Sequence, residues 1–274
     1  MGYRLGIIGA GNMGQAIVRG SIARRLLASQ EVLVVEIDPA RRREVAQLGC
    51  ATDGEASSAA GCGEILLAVK PQSFPAVAAS LGPLPEPKVI ISIMAGLSSR
   101  GIRDALGDCA RVVRVMPNTP CRVGAGMAAI CLGAGARPGD EALATALFGA
   151  LGKTTTVDEA MMHAVTATSG SGPAYVFLLA EAMETAAVRL GLDAVTARLL
   201  ARQTVLGAGK LLCESDLEAA DLRGTVTSPG GTTEAAVAVM LKRGMPEVIC
   251  DAITAARDRG RELEEEGFGV RGSG

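Results

Sequence analysis

The stretch LGIIGAGNMGQAI, close to the start of the chain, limits the possible folds more than any other. A short apolar run, Leu5–Ile8, leads directly into Gly9, Gly11 and Gly14, and apolar residues at helical spacing follow. Gly9 suits a tight turn after a strand, Gly11 lets backbone approach a pyrophosphate, and Gly14 lets a helix pack on a sheet. The helix that begins there directs free N–H groups at an anion. Thirty-five glycines make chance matches to such a pattern common, so position decides. Between a first strand and a first helix, the pattern predicts a dinucleotide site.

The next residues repeat that arrangement. Runs suited to strands recur at 32–36, 65–69, 89–93 and 111–116, with helical stretches at 13–28, 40–48, 74–81 and 98–106 between them. Apolar strands separated by helices predict a doubly wound parallel sheet covered on both faces. Weaker strands at 127–131 and 154–157, around a helix at 140–151, are expected to complete it. From Glu159 the pattern changes to helices alone, at 172–190, 193–213, 233–242 and 246–266. The fold is therefore expected to be α/β: a Rossmann-type domain over 1–158, then an all-α domain over 159–274. The closing GVRGSG reads as a loose tail.

The helical region is rich in alanine and apolar on more than one face. Helices apolar all round must be buried, and a region of this length cannot cover so many faces alone, which calls for a partner chain. Charge nearly balances, with 27 basic and 29 acidic residues, so neither nucleic acid nor membrane is expected as a partner. No run is long enough to span a bilayer. The seven cysteines are scattered and form no CxxC pair, which suggests reduced thiols in a cytoplasmic protein, most of them in the core, and no metal site.

At the end of the second strand, VVEIDPARRR places Glu36 where a carboxylate binds an adenosine ribose diol. An acid there repels a 2′-phosphate and favours NADH. The run Arg41–Arg43 reads better as a solvated helix face than as a phosphate partner. Near the other end, TSPGGTTEA at 227–235 offers four hydroxyls and two glycines at a helix start where a cap needs one hydroxyl. It suits either an anion site built from backbone N–H groups or an ordinary threonine cap with Glu234 on the helix dipole.

Further stretches are LLAVKPQ at 66–72, RVMPNTP at 114–120 and SGSGPAYVF at 169–177. With GAGNMG and SPGGTT, they make the chain resemble the pyrroline-5-carboxylate reductase family from about residue 4 to residue 266. The resemblance implies an NAD(P)H-binding first domain and a helical domain that forms an interlocked homodimer, in some members a ring of dimers. It implies cofactor contacts at Gly9, Ala10, Gly11, Asn12, Met13, Gly14, Glu36, Ala68, Val69, Lys70, Pro71, Met94, Ala95 and Gly96, with Asn118 near the nicotinamide. Ser228, Gly231 and Thr232 would hold the substrate carboxylate, and Thr233 would lie beside the ring nitrogen.

Two departures stand out. Glu36 and Ile37 replace an Asn-Arg or hydroxyl pair common in the family, and LEAADLRG at 217–224 replaces a His-Pro-Gly and lysine segment. An aliphatic hydroxyl is a poor acid, so Thr233 suits orienting the imine better than protonating it. His163, the only histidine, reads as structural, while Lys70 suits a turn or a cofactor contact equally. The competing enzyme class is a β-hydroxyacid dehydrogenase. That class uses a helical lysine as base, but Lys210 and Lys242 here lack its motif.

Overall fold

The computed structural model describes residues 2–266, and the GVRGSG tail lies outside them. Two compact units part after Ser171. One runs up to that residue and includes the stretch from Ala256 onward, and the other is Gly172–Ala255.

The first unit opens with β1 (Leu5–Ile8), α1 (Asn12–Ala23), β2 (Val32–Val35), α2 (Pro39–Ala46), β3 (Ala51–Asp53) and β4 (Glu64–Leu67). It continues with α3 (Phe74–Leu81), β5 (Lys88–Ser92), α4 (Ser99–Leu106), β6 (Ala110–Pro117) and β7 (Gly126–Leu132). Finally come α5 (Ala142–Gly149), β8 (Gly152–Thr156) and the short α6 (Met162–Val165). All eight strands join one sheet in the order β3-β2-β1-β4-β5-β6-β7-β8. The chain reverses direction across the sheet between β1 and β4, the switch point beside which such folds bind ligands. Only β6 and β7 pair antiparallel, across the 3₁₀ turn Thr119–Val123.

Side-chain alternation explains why the strands read as continuous apolar runs. Leu5, Ile7, Val34, Leu66 and Ile91 pack with Ile17 and Val18 of α1 and with Leu147 and Phe148 of α5. Their neighbours Ile8, Leu33, Ile65, Leu67 and Ile90 pack on the opposite face with Phe74 and Leu81 of α3 and Ile102 of α4. β1, β2, β4 and β5 thus bury both faces, as the runs require.

The expected helix at 13–28 is shorter in the structure. After Ala23, Arg25 takes a left-handed φ of 57°, and the Leu26 N–H returns to the Ser21 carbonyl. Leu27 keeps helical spacing in the sequence, yet it is buried in the core from outside the helix. Strand β3 had no sequence signal, because its three half-buried residues lack a β-branched run. Cys50, Cys62, Cys121 and Cys131 are buried, and burial pushes the Cys131 thiol up to about 11. Cys109 is half-buried, while Cys213 and Cys250 are exposed.

A polar network fixes the far end of the first unit. Arg114 of β6 is buried, and its guanidinium donates to Glu159 Oε1 at 2.9 Å. That oxygen also accepts the Ser99 N–H at 2.8 Å, and Glu159 Oε2 accepts the Ser99 hydroxyl at 2.5 Å. Burial alone would raise the Glu159 carboxyl, but the bonds from Ser99 and Arg114 outweigh it and hold the group below its ordinary range.

The second unit contains α7 (Gly172–Arg189), α8 (Ala194–Glu214), α9 (Ala219–Thr225) and α10 (Thr232–Lys242), and α11 (Met245–Glu265) begins there. Asp193 caps α8, accepting from the Val195 and Thr196 N–H groups at 3.0 Å each, after a stop at Gly191 with φ 100°. α9 was not expected and occupies much of LEAADLRG. Among these helices only Ala197 and Ala201 are buried. Phe177 is 65% exposed, Leu178 67% and Leu199 66%. Exposed apolar faces of this extent mark an interaction surface.

Candidate active site

The glycine loop has the geometry its spacing predicts. Gly9 adopts φ 104°, and a Cβ there would sit 2.7 Å from the Ala68 carbonyl oxygen. A Cβ on Gly14 would come within 2.1 Å of the Gly9 oxygen, so α1 could not begin so close to the turn with any other residue. Gly11 is different: a Cβ there would meet nothing within 4 Å, so the space above it is open. Gly11 is also the N-cap of α1, and no side chain caps that helix. An open approach above uncapped N–H groups fits a pyrophosphate.

Glu36 follows β2 and is 93% buried by its 7% exposure. Its Oε2 accepts the Ala10 N–H at 2.7 Å and its Oε1 the Asp38 N–H at 3.0 Å. The carboxylate is therefore fixed against the glycine loop and cannot swing away without leaving a buried N–H unpaired. Arg42 donates to the Glu36 carbonyl at 2.8 Å, so it braces this turn. Arg41 and Arg43 are exposed, and Arg41 lies 3.6 Å from Asp38.

A cleft of about 520 Å³ lies at this end of the sheet. It brings together Gly9, Gly11, Glu36, Ala68, Val69 and Lys70 of the expected contacts. Lys70 is exposed at the N-cap position of the 3₁₀ turn Pro71–Ser73, where its side chain makes no cap bond, and it lines the cleft. Of the others, Ala10 and Gly14 are buried beside the loop, Met13 is half-buried, and Asn12 is exposed at the start of α1. Met94, Ala95 and Gly96 follow β5 outside the lining of this cleft.

The sequence reading missed Gly54, Glu55 and Val77, which also line it. The pair Asp53-Gly54 was an available turn signal once a third strand was allowed. Bonds from the Ser58 hydroxyl and then the Glu55 and Gly54 N–H groups lower the Asp53 carboxyl and fix that turn.

Asn118 lies beyond β6. Its Oδ1 accepts the Met127 N–H at 2.9 Å, and its Nδ2 donates to the Ser169 carbonyl at 3.3 Å. This joins MPNTP to the start of SGSGPAY, at a π-helical turn over Thr166–Gly170. His163 on α6 pairs with Glu264 of α11 at 2.5 Å, and a Cβ on Gly260 would lie 3.0 Å from its Nδ1. The histidine therefore secures the last turns of α11, in keeping with a structural role.

In the second unit, the helix cap at SPGGTT differs from the threonine alternative. The N-cap of α10 is Gly231, and no side chain caps it. Glu234 instead reaches back to the Gly230 N–H at 2.7 Å. Gly230 takes φ 70°, and a Cβ on Gly231 would come within 2.6 Å of Ser228 Oγ. The glycines thus allow a tight turn that brings the Ser228 hydroxyl beside an uncapped helix start. Thr232 is exposed and Thr233 half-buried.

These arrangements recur in known proteins. The family model for pyrroline-5-carboxylate reductase dimerisation matches residues 159–263, and that for coenzyme F420-dependent NADP oxidoreductase matches residues 4–96. A pyrroline-5-carboxylate reductase of Synechocystis is 43% identical over 267 residues, covering 96% of this chain and 99% of that protein. The chain belongs to the pyrroline-5-carboxylate reductase family. A family structure from Coxiella burnetii aligns with a TM-score of 0.88 at 35% identity, covering 96% of this chain and 99% of that one. The Plasmodium falciparum enzyme, solved with NADP bound, aligns at 0.85 and 28% identity, covering 96% of this chain and 98% of its own. Membership accounts for both halves of the chain: the nucleotide end by its sheet and glycine loop, and the exposed helical faces by dimerisation.

Proposed function

We propose that the chain reduces the C=N bond of 1-pyrroline-5-carboxylate to give L-proline, using NAD(P)H and acting as a homodimer. Family membership over nearly the whole chain carries this reading, and it does not favour the β-hydroxyacid dehydrogenase alternative. When bound, the nicotinamide cofactor supplies the hydride. Gly9 to Gly14 would hold its pyrophosphate, Glu36 its adenosine ribose, and Ala68 to Pro71 and Met94 to Gly96 the rest, with Asn118 near the nicotinamide. We place the functional division at 158/159, where the dimerisation model begins.

The uncapped N–H groups at the start of α10, with the Ser228 and Thr232 hydroxyls and Gly231, bind the substrate carboxylate. That anion matches the positive end of the helix dipole. Thr233 donates to or accepts from the ring nitrogen and fixes its orientation. The nitrogen is protonated on the substrate or through water, because the aliphatic hydroxyl of Thr233 is not acidic enough to do it. Catalysis then rests on positioning and electrostatics.

Glu36 carries the cofactor preference. Fixed by the Ala10 and Asp38 N–H groups, it repels a 2′-phosphate, and Arg42 is occupied with the backbone beside it. NADH is therefore expected to serve at least as well as NADPH. Glu36→Asn with Ile37→Arg should shift the ratio of kcat/KM values toward NADPH. Steady-state kinetics with both cofactors tests this, and a wild-type enzyme strongly favouring NADPH would mean that Arg41 outweighs Glu36.

Light scattering is expected to find no stable, active monomer at assay concentrations, since α7, α10 and α11 bury no residue within one chain. Assembly into a ring of dimers is the extension of the same reading. A larger particle that breaks down to dimers on dilution supports it, and a dimer at every concentration excludes it.

A further inference from the structure

A second cavity of the first unit, about 420 Å³, runs along α1; it meets the glycine loop only at Asn12 and shares no lining residue with the cofactor cleft. Asn12, Gln15 and Arg19 recur along it at helical spacing, Arg24 stands at the C-cap just past the helix, and Arg122 and Leu151 stand on other walls. The three guanidiniums of Arg19, Arg24 and Arg122 are exposed, and among the described residues none makes an ion pair. No acid lines the cavity, although acidic residues outnumber basic ones in the chain as a whole. Gln15, on its wall, donates its amide to Glu44 at 3.0 Å.

Three arginines without an acidic partner line one concavity, an arrangement that a multiply charged anion would complete. Arg24 has a structural use at the negative end of α1, where a cation is favourable. Arg19 is mid-helix, so that use does not cover it, and Arg122 stands in the last turn of a separate five-residue 3₁₀ segment. Planar guanidiniums pair with phosphate oxygens in bidentate fashion, so several around a small cavity select a multiply charged phosphate over a single carboxylate. We propose that this groove binds a small phosphate-bearing anion at a site separate from the cofactor cleft.

Calorimetric titration of inorganic pyrophosphate into the full-length protein, with NADH saturating, tests the proposal. NADH binding is measured first by its fluorescence, so failure of the cofactor reading is seen separately. One pyrophosphate per chain is expected, weakening as salt rises. Arg19→Gln with Arg122→Gln should weaken it by roughly tenfold or more for each guanidinium removed, with Tm and NADH affinity unchanged. A parallel titration with adenosine triphosphate distinguishes a nucleotide tail, which binds more tightly than pyrophosphate, from a free phosphate compound, which does not. No binding beside NADH, or equal affinity in the double variant, would overturn the proposal.

Discussion

Thr233→Ala is expected to lower kcat/KM for pyrroline-5-carboxylate by about ten- to a hundred-fold, the cost of one hydrogen bond to a charged or charging group. NADH affinity should hardly change, because the glycine loop and Glu36 lie in a different part of the sequence and keep their own contacts. Stability should hold as well. No side chain caps α10, so Thr233 supplies no cap that the substitution could remove. Thr232→Pro tests the backbone part of the site, since proline removes an N–H yet is tolerated in the first turn of a helix. It should impair substrate binding more than Thr232→Val, which keeps that N–H. Melting temperature and kinetics on the same preparations distinguish the two roles: a loop that only starts a helix would lose stability and keep its turnover per folded molecule.

Glu159→Ala is expected to give the largest loss of stability, about 3 kcal/mol, because it leaves Arg114 buried and unpaired. The figure sits at the lower end of the usual range because the Glu159 side chain keeps 32% of its exposure. The same group gives the fold an acid-sensitive component. Its folded carboxyl titrates below the ordinary range. Its contribution is therefore complete above the unfolded carboxylate pKa and is lost as pH falls through the lower folded value. Denaturant titrations across that acidic window should show a stability slope in the wild type that Glu159→Gln reduces. An unchanged slope in a folded Glu159→Gln variant would exclude the network as its source.

The two halves of the chain were legible to different depths, for physical reasons. Strands buried on both faces leave apolar runs, and Gly9 and Gly14 of the fingerprint are required by contacts as close as 2.1 Å, so the nucleotide end could be read from local pattern. Strand β3 escaped because an edge strand of three residues needs neither signal. The helix at 13–28 was read too long because Leu27 holds helical spacing while reaching the core from beyond the helix end. Glu36 was placed by its distance from the glycines. Its bond to the Ala10 N–H, 26 residues away, is a tertiary fact that no local pattern carries. The helical unit raised the opposite difficulty. Its elements were readable, but its energetics were not, since the apolar faces are satisfied only by a second chain.

The central claim is that the first unit presents a nicotinamide cofactor and the α10 loop presents a cyclic imino acid for reduction. It is tested most directly by mixing purified protein, NADH and pyrroline-5-carboxylate, following absorbance at the reduced nicotinamide band, and identifying the product by chromatography. The account predicts loss of NADH in step with formation of L-proline, with the same assay on Thr233→Ala reduced at equal folded protein. Folded, dimeric protein that oxidises neither NADH nor NADPH with this substrate would contradict it.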